Sequence, residues 1–335
     1  MSQYDKGFLY SLLPDTTRSD LHKEDFIPQY IVQDALKLEK YTKKNQIQWF
    51  TRDDAQYHFK FTTVPTKPQI IYYMGNLDIL NQTLLGIVWP RLPSIYGEQV
   101  VTELLDYAKS YQLATISWLA DGIDTLCYQQ SIKNNIPTIA VLGWGFHYFL
   151  RTRQYDIDTI IWNGGLVMSE FKIGNKPEKY TFPQRNRIIA WLSDILFLPE
   201  AATSSGSLIT VDFAYKVHKS IYATPNSIFQ ASSSGINQYI SKGIIQAVRD
   251  IPEFIQKNFP KKEVAWVPEN NYDLDTLSEA QQQILQVFTD RWSTPIEVLL
   301  QKTGLSTSIL MSELTILEIS WHVYQHHPGL YAIKN

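Results

Sequence analysis

Residues 195–224 read ILFLPEAATSSGSLITVDFAYKVHKSIYAT. The apolar run Ile195–Pro199 suits a strand buried on both faces, because such strands lose the polar–apolar alternation of half-exposed ones. A small hydroxylated turn follows, then an apolar-periodic helix over Leu208–His218, then a second β-branched run, Ser220–Thr224. Strand, helix and strand form one βαβ unit, and the crossover makes the two strands parallel. The rhythm extends back to about residue 68. IIYYM (70–74), LLGIV (84–88), LATIS (113–117), TIAVL (138–142) and LVMS (166–169) are further strands. A helix over Tyr96–Tyr111 turns Val100, Leu104, Leu105 and Ala108 to one face. The expected fold is α/β, a Rossmann-like doubly wound and mostly parallel sheet spanning residues 66–250.

The flanks differ in character. Residues 1–65 form a small helical N-terminal region, with one helix over Ile27–Lys43 and irregular polar sequence around Asp53–Thr63. Residues 251–275 carry Pro252, Pro260 and Pro268 with mixed charge and suit a linker. A C-terminal winged-helix domain is expected over 276–335. There Ser278 and Gln281 make a capping-box pattern, helices follow over Pro295–Lys302 and Ser306–Glu318 around Gly304, and VYQHHPGLYAI (323–333) suits a hairpin. Residues 275–335 hold six acids and three bases, and the second helix of the pair has no Lys or Arg. Groove binding needs cations to neutralise phosphates, so protein contact or packing suits this helix better than duplex DNA.

Composition narrows the function classes. The one cysteine, Cys127, has no partner in the chain and no metal-ligand spacing to a histidine, which points to a reducing cytoplasm without a structural metal or cofactor. Asp5 and Lys6 interrupt the N-terminal stretch where a signal peptide would be apolar, and no span is long enough for a membrane. With 30 basic and 33 acidic residues the net charge is −3, so any nucleic acid must meet a local patch.

Polar residues concentrate at the carboxyl ends of three expected strands, where open α/β sheets bind ligands. Arg91 follows LLGIV. FPQRNRIIA (182–190) is preceded by Lys176 and Lys179, in a stretch, 147–193, whose seven bases exceed its four acids. EAATSSGSLIT (200–210) joins a strand to a helix. Ser205, Gly206 and Ser207 at that helix start suit either an anion cradle or an ordinary capped turn. Phe182 among cations suits either single-stranded nucleic acid, whose bases stack on rings, or a solvated basic face over a core phenylalanine.

Seven motifs then occur in one order. They are Y-G (96–97), S-x-L-A-x-G-I-D (117–124), I-A-V-L-G-x-G (139–145), S-E (169–170), F-P-x-R-N-R-I-I-A-x-L-S (182–193), E-A-x-x-x-S-G-S-L-I-T (200–210) and S-x-G-I-N (233–237). In this order they resemble DprA, also called Smf, the bacterial DNA-processing family, over about residues 68–245. The resemblance implies a homodimer that binds single-stranded DNA, protects it during natural transformation and loads the RecA recombinase, without catalysis. It implies that Arg91 and Lys179 hold phosphate and that Phe182 stacks a base. Arg185, Asn186 and Arg187 would line or brace the pocket, with Ser205, Gly206 and Ser207 as its floor. An alternative is a nucleotide-binding or nucleotide-hydrolysing Rossmann-like enzyme using Glu200 as general base.

Five tryptophans depart from the family. Trp89, Trp118, Trp144, Trp191 and Trp321 stand where it has glycine or another small residue. Either the pocket has closed by divergence, or the host reads UGA as glycine. The chain has 15 glycines and nine tryptophans in 335 residues, and conversion of all nine would bring glycine to the usual ~7%.

Overall fold

The computed structural model describes residues 29–52, 54, 57–62, 64–88, 94–119, 124–178, 180–261, 277–288, 293–320, 322–327 and 329–333. Two compact units divide the chain, 1–261 and 262–335.

Among the described residues the first unit is built on nine strands: β1 (Gln48–Thr51), β2 (Ile70–Gly75), β3 (Leu84–Ile87), β4 (Ala114–Trp118), β5 (Thr138–Val141), β6 (Leu166–Ser169), β7 (Ile195–Leu198), β8 (Ser220–Ala223) and β9 (Gln246–Ala247). Their order across the sheet is β1-β2-β6-β5-β4-β3-β7-β8-β9. From β6 to β9 every pairing is parallel. The chain winds from β3 outward through β4, β5 and β6, then returns to the other side of β3 with β7 and β8. That reversal makes the carboxyl edge around β3 a topological switch point.

Alternate residues of each strand face opposite layers, as the two-residue period requires. Leu84, Leu196 and Leu198 join a core cluster with Ile188, Ile189 and Leu192 of α7 (Thr181–Leu192) and Leu208 and Val211 of α8 (Ser207–Lys216). Leu85, Ile87 and Phe197 join the opposite layer with Val101 and Leu105 of α3 (Ile95–Ala108). Among the described residues, the remaining α-helices of this unit are α1 (Gln29–Lys44), α2 (Phe59–Thr62), α4 (Asp124–Lys133), α5 (Phe146–Thr152), α6 (Gln154–Trp162), α9 (Ser234–Ser241) and α10 (Ile251–Asn258). A mixed α/β unit with a mostly parallel central sheet is what the sequence predicts.

Two boundaries and one strand direction differ. Residues 48–51, expected in a separate helical region, form the edge strand β1, which pairs antiparallel with β2 and buries Phe50. β2 in turn runs antiparallel to β6, so two strands oppose the parallel set. Residues 251–258, expected in a linker, form α10, whose Ile251, Phe254 and Ile255 pack in the α3 layer. Pro252 misleads here because proline is welcome in a helix's first turn; Asp250 caps that turn through Glu253 N–H at 2.7 Å. Residues 262–276 lie outside the described residues.

In the second unit α11 (Glu279–Val287) starts at the expected capping box, with Ser278 Oγ accepting from Gln281 N and Gln281 Oε1 accepting from Ser278 N. Helix α12 (Ile296–Thr303) ends at left-handed Gly304, and α13 (Thr307–Ile319) follows. Strands β10 (Ser293–Pro295), β11 (Val323–His327) and β12 (Leu330–Ile333) form an antiparallel sheet in the order β10-β12-β11. Leu310, Leu314 and Leu317 anchor α13 inward, and Ile309, Ile316 and Ile319 are exposed. Among the described residues no helix is long and apolar enough to cross a membrane, and no cluster of three His, Cys, Asp or Glu could hold a metal.

Candidate nucleic-acid interface

Of the expected site residues, Phe182, Arg185, Asn186, Ser205, Gly206 and Ser207 lie at the carboxyl edge of the sheet. Helix α7 begins there, and Thr181 braces its entry by donating from Oγ1 to the Glu178 carbonyl at 2.8 Å. Phe182, one residue on, is half-buried above the end of β5. A Cβ at Gly143 would lie 3.7 Å from the Phe182 ring, and Trp144 meets that ring edge-on with centroids 5.6 Å apart. Trp144 itself stacks on Phe149 at 4.5 Å.

Arg185, one turn further, points into the protein and is 2% exposed. Its Nη1 donates to the Val141 carbonyl at 3.1 Å and its Nε to Asn186 Oδ1 at 2.9 Å. Trp118, the last residue of β4, lies against the guanidinium, 4.5 Å from ring centroid to Cζ. The arginine therefore ties α7 to the ends of β4 and β5, and of the two roles open to it, lining or bracing, this geometry is bracing. Asn186 is buried beside it.

Arg187 leaves the helix on a different side. It ion-pairs with Glu170, donates to the Thr66 carbonyl at 2.9 Å and covers Trp191 at 4.8 Å. Burial pushes the Glu170 carboxyl up to about 7, with Arg187 pulling the other way. The structure thus gathers Phe182, Arg185 and Asn186 with Trp118 and Trp144, and sets Arg187 apart. Arg91, Lys179 and Trp89 lie outside the described residues.

Further along the same edge, above β7, Ser205, Gly206 and Ser207 open α8. Ser205 Oγ and Ser207 Oγ share a hydrogen bond at 2.7 Å, and Ser207 N donates to Ser205 Oγ at 3.3 Å. Gly206 has ordinary helical dihedrals, and among the described residues nothing lies within 4 Å of where a Cβ would sit. Backbone conformation does not demand glycine here, whereas close approach by a ligand would.

Glu200 is fully buried and accepts from Ser94 N and Ser94 Oγ, both at 2.6 Å. Ser94 is the N-cap of α3, and a Cβ on Gly97 in its first turn would come within 2.9 Å of the Glu200 carboxyl carbon. The carboxylate therefore locks the end of β7 to the start of α3. Ser94 carries no signal for this in sequence, since its partner is 106 positions away.

Residues 48–258, from β1 to the end of α10, match the family described as DNA recombination-mediator protein A. The chain belongs to that family. The protein Smf of Synechocystis is 33% identical over 210 residues, which is 62% of this chain and 52% of that protein, so the shared region spans about half of this relative's length. DNA processing protein A from Streptococcus pneumoniae, solved by X-ray crystallography, is 28% identical with a TM-score of 0.59, covering 74% of this chain and 87% of that one. The structure of DNA processing protein A from Helicobacter pylori, which describes that protein's single-stranded DNA binding mode, aligns with a TM-score of 0.56 at 25% identity. It covers 63% of this chain and 95% of the other. The resemblance expected from the motifs is therefore membership, and it extends N-terminally to include β1.

Proposed function

We propose that the protein binds single-stranded DNA along the carboxyl edge of its sheet, protects it, and delivers it to the RecA recombinase as a cytoplasmic homodimer without catalysis. The observation that carries this reading is the position of Phe182. It stands half-exposed on a helix start held by a buried arginine, on the same strand-end edge as the α8 N-terminus. An aromatic platform beside an amide-rich helix start provides for both components of a single strand, stacked base and phosphate. The H. pylori relative's single-stranded DNA binding supports it.

Arg91 and Lys179 hold phosphates, Phe182 stacks a base, and Ser205, Gly206 and Ser207 form the floor. Arg185 and Asn186 brace the pocket from beneath, and Arg187 braces its flank through Glu170. The domain arrangement is a winged helix at 276–335 after the sheet, and its cation-free α13 suits a protein contact. The hydrolytic alternative loses its base, since the Glu200 carboxylate is committed to the α3 N-cap.

Fluorescence anisotropy with labelled oligothymidylate across a salt series tests the reading. Binding should be sequence-tolerant and should weaken steeply with salt, because counterion release drives it. Salt-independent binding, or no binding at low salt, overturns it. Delivery to RecA is read as faster RecA filament growth on the same oligonucleotide when the protein is added.

A further inference from the structure

The loop after β8, residues 224–230, holds two apolar side chains in solvent: Ile228 is 81% exposed and Phe229 is 91% exposed. Such exposure on a floppy tether would mean little, but this loop is fastened along its length. Tyr96 Oη donates to the Pro225 carbonyl at 3.1 Å, and Asn237 Nδ2 to the Asn226 carbonyl at 3.0 Å. Asn226 Oδ1 accepts from Ser227 N at 2.6 Å, Ser227 Oγ accepts from Phe229 N at 3.2 Å, and Asn226 Nδ2 donates to Gln230 Oε1 at 3.0 Å. The backbone that carries the exposed aromatic is thus fastened before anything binds, so little backbone entropy opposes stacking on it.

Its place in the fold says what would stack. β8 lies beside β7, and the two strand-end loops are joined: Gly235 N and Ile236 N donate to the Ala201 carbonyl at 2.9 and 3.1 Å, and Thr203 N to Ser234 Oγ at 3.2 Å. The edge therefore runs from Phe182 above β5, across β4 and β3, past Ser205–Ser207 above β7, to Phe229 above β8. Four inter-strand steps make this about 19 Å. A strand stacked at ~3.4 Å per nucleotide crosses it in about six nucleotides, an extended one in fewer. Neither 201–211 nor 224–241 contains an Asp or Glu, and Glu200 is buried, so nothing in these loops repels a polyanion.

We propose that Phe229, backed by Ile228, is a second base-stacking platform, and that one DNA strand runs along the carboxyl edge from Phe182 to Phe229. The inference rests on the single-strand reading above and deepens it.

The experiment measures affinities of wild type, Phe229→Ala and Phe229→Trp for dT3, too short to reach both platforms, and dT12, long enough. Light scattering follows the oligomeric state of each protein. Phe229→Ala should weaken dT12 about 5- to 150-fold, the range of one lost stack, and leave dT3 on Phe182 unchanged. Phe229→Trp should restore dT12 binding. Equal dT12 affinity in wild type and Phe229→Ala overturns this inference and leaves the Phe182 site standing. Dissociation of the oligomer by Phe229→Ala with dT12 affinity intact also overturns it, since the patch would then face a second copy of the chain. Absence of oligonucleotide binding by wild type overturns both readings.

Discussion

Replacing Glu200 separates the two roles that a buried carboxylate at a strand end can have. It is fully buried and accepts two short hydrogen bonds from Ser94, the residue that caps α3. A hydrogen bond to a charged group contributes roughly 1.5–3 kcal/mol. Ser94 is half-buried, so water can reach its freed groups and the low end applies, about 3 kcal/mol for the pair in Glu200→Ala. For a unit of this size about 1 kcal/mol corresponds to roughly 2–4 °C, which predicts a loss of about 6–12 °C in Tm. Glu200→Gln keeps an acceptor for Ser94 N, and the hydroxyl can rotate to accept from the new amide, so that variant should lose only about 2–4 °C. Ser94 directly follows the segment carrying Arg91, so Glu200→Ala should also weaken oligothymidylate binding and Glu200→Gln should not. Thermal unfolding followed by circular dichroism, with anisotropy on the same samples, measures both. An unchanged Tm in Glu200→Ala refutes the capping role. A stable Glu200→Gln that loses a nucleotide-hydrolysing activity present in wild type restores the enzymatic alternative.

Phe182→Ala should weaken oligothymidylate binding by about 1–3 kcal/mol with little change in salt dependence, since stacking is lost and no cation is; anisotropy at two salt concentrations checks this. Lys179→Ala and Arg91→Ala should each lower affinity and reduce the salt slope by about one, and wild-type affinity in the double variant would contradict their phosphate roles. For Glu170, burial holds the folded pKa near 7, above its ordinary value of 4.5. The favourable contribution of that raised pKa is complete below the ordinary value and is lost as pH rises through about 7. Urea unfolding at pH 5.5 and 8 should therefore show a smaller pH difference in Glu170→Gln than in wild type, and identical differences would refute the shift. If UGA is read as glycine in the host, the codons for Trp89, Trp118, Trp144, Trp191 and Trp321 are UGA; sequencing of the gene showing UGG at most of them ends that reading.

The central sheet was legible because its strands are buried on both faces, and IIYYM, LLGIV, LATIS, TIAVL, LVMS, ILFLP and SIYAT all form strands at or within one residue of their expected limits. β1 was not, because Gln48 and Thr51 bracket only two aromatic residues, and a four-residue edge strand leaves no period to detect. The motifs named Phe182, Arg185 and Asn186, which the structure gathers at the strand ends, but not how each points. Arginine ordinarily keeps its head in water, so nothing in FPQRNR announces that Arg185 turns inward to Val141 while Arg187 turns aside to Glu170 and Thr66. The same holds for Phe229, whose loop has no charge, glycine or periodicity to mark it; only its exposure and its neighbours in three dimensions give it a role.

The tryptophans bear most directly on Arg185. Trp118 is buried, its Nε1 has no hydrogen-bond partner among the described residues, and its ring covers the guanidinium. A buried indole N–H left unsatisfied costs about 1–3 kcal/mol, so the position holds this side chain at the expense of stability. With the indole in place, Arg185 is shielded from any strand above it, and on the proposed reading phosphate recognition falls to Arg91, Lys179 and the α8 start. With glycine there, the face of the guanidinium now covered would open toward the strand ends, and Arg185 could contact phosphate directly. Trp144 is a different case, since its ring stacks on Phe149 and extends the aromatic surface around Phe182. Glycine at 144 would remove the indole beside Phe182 and, on the proposed reading, make binding depend more heavily on Phe182. On the proposed reading, the residue at 118 thus decides whether the buried arginine is a brace or a ligand, and the residue at 144 how much of the stacking falls to Phe182.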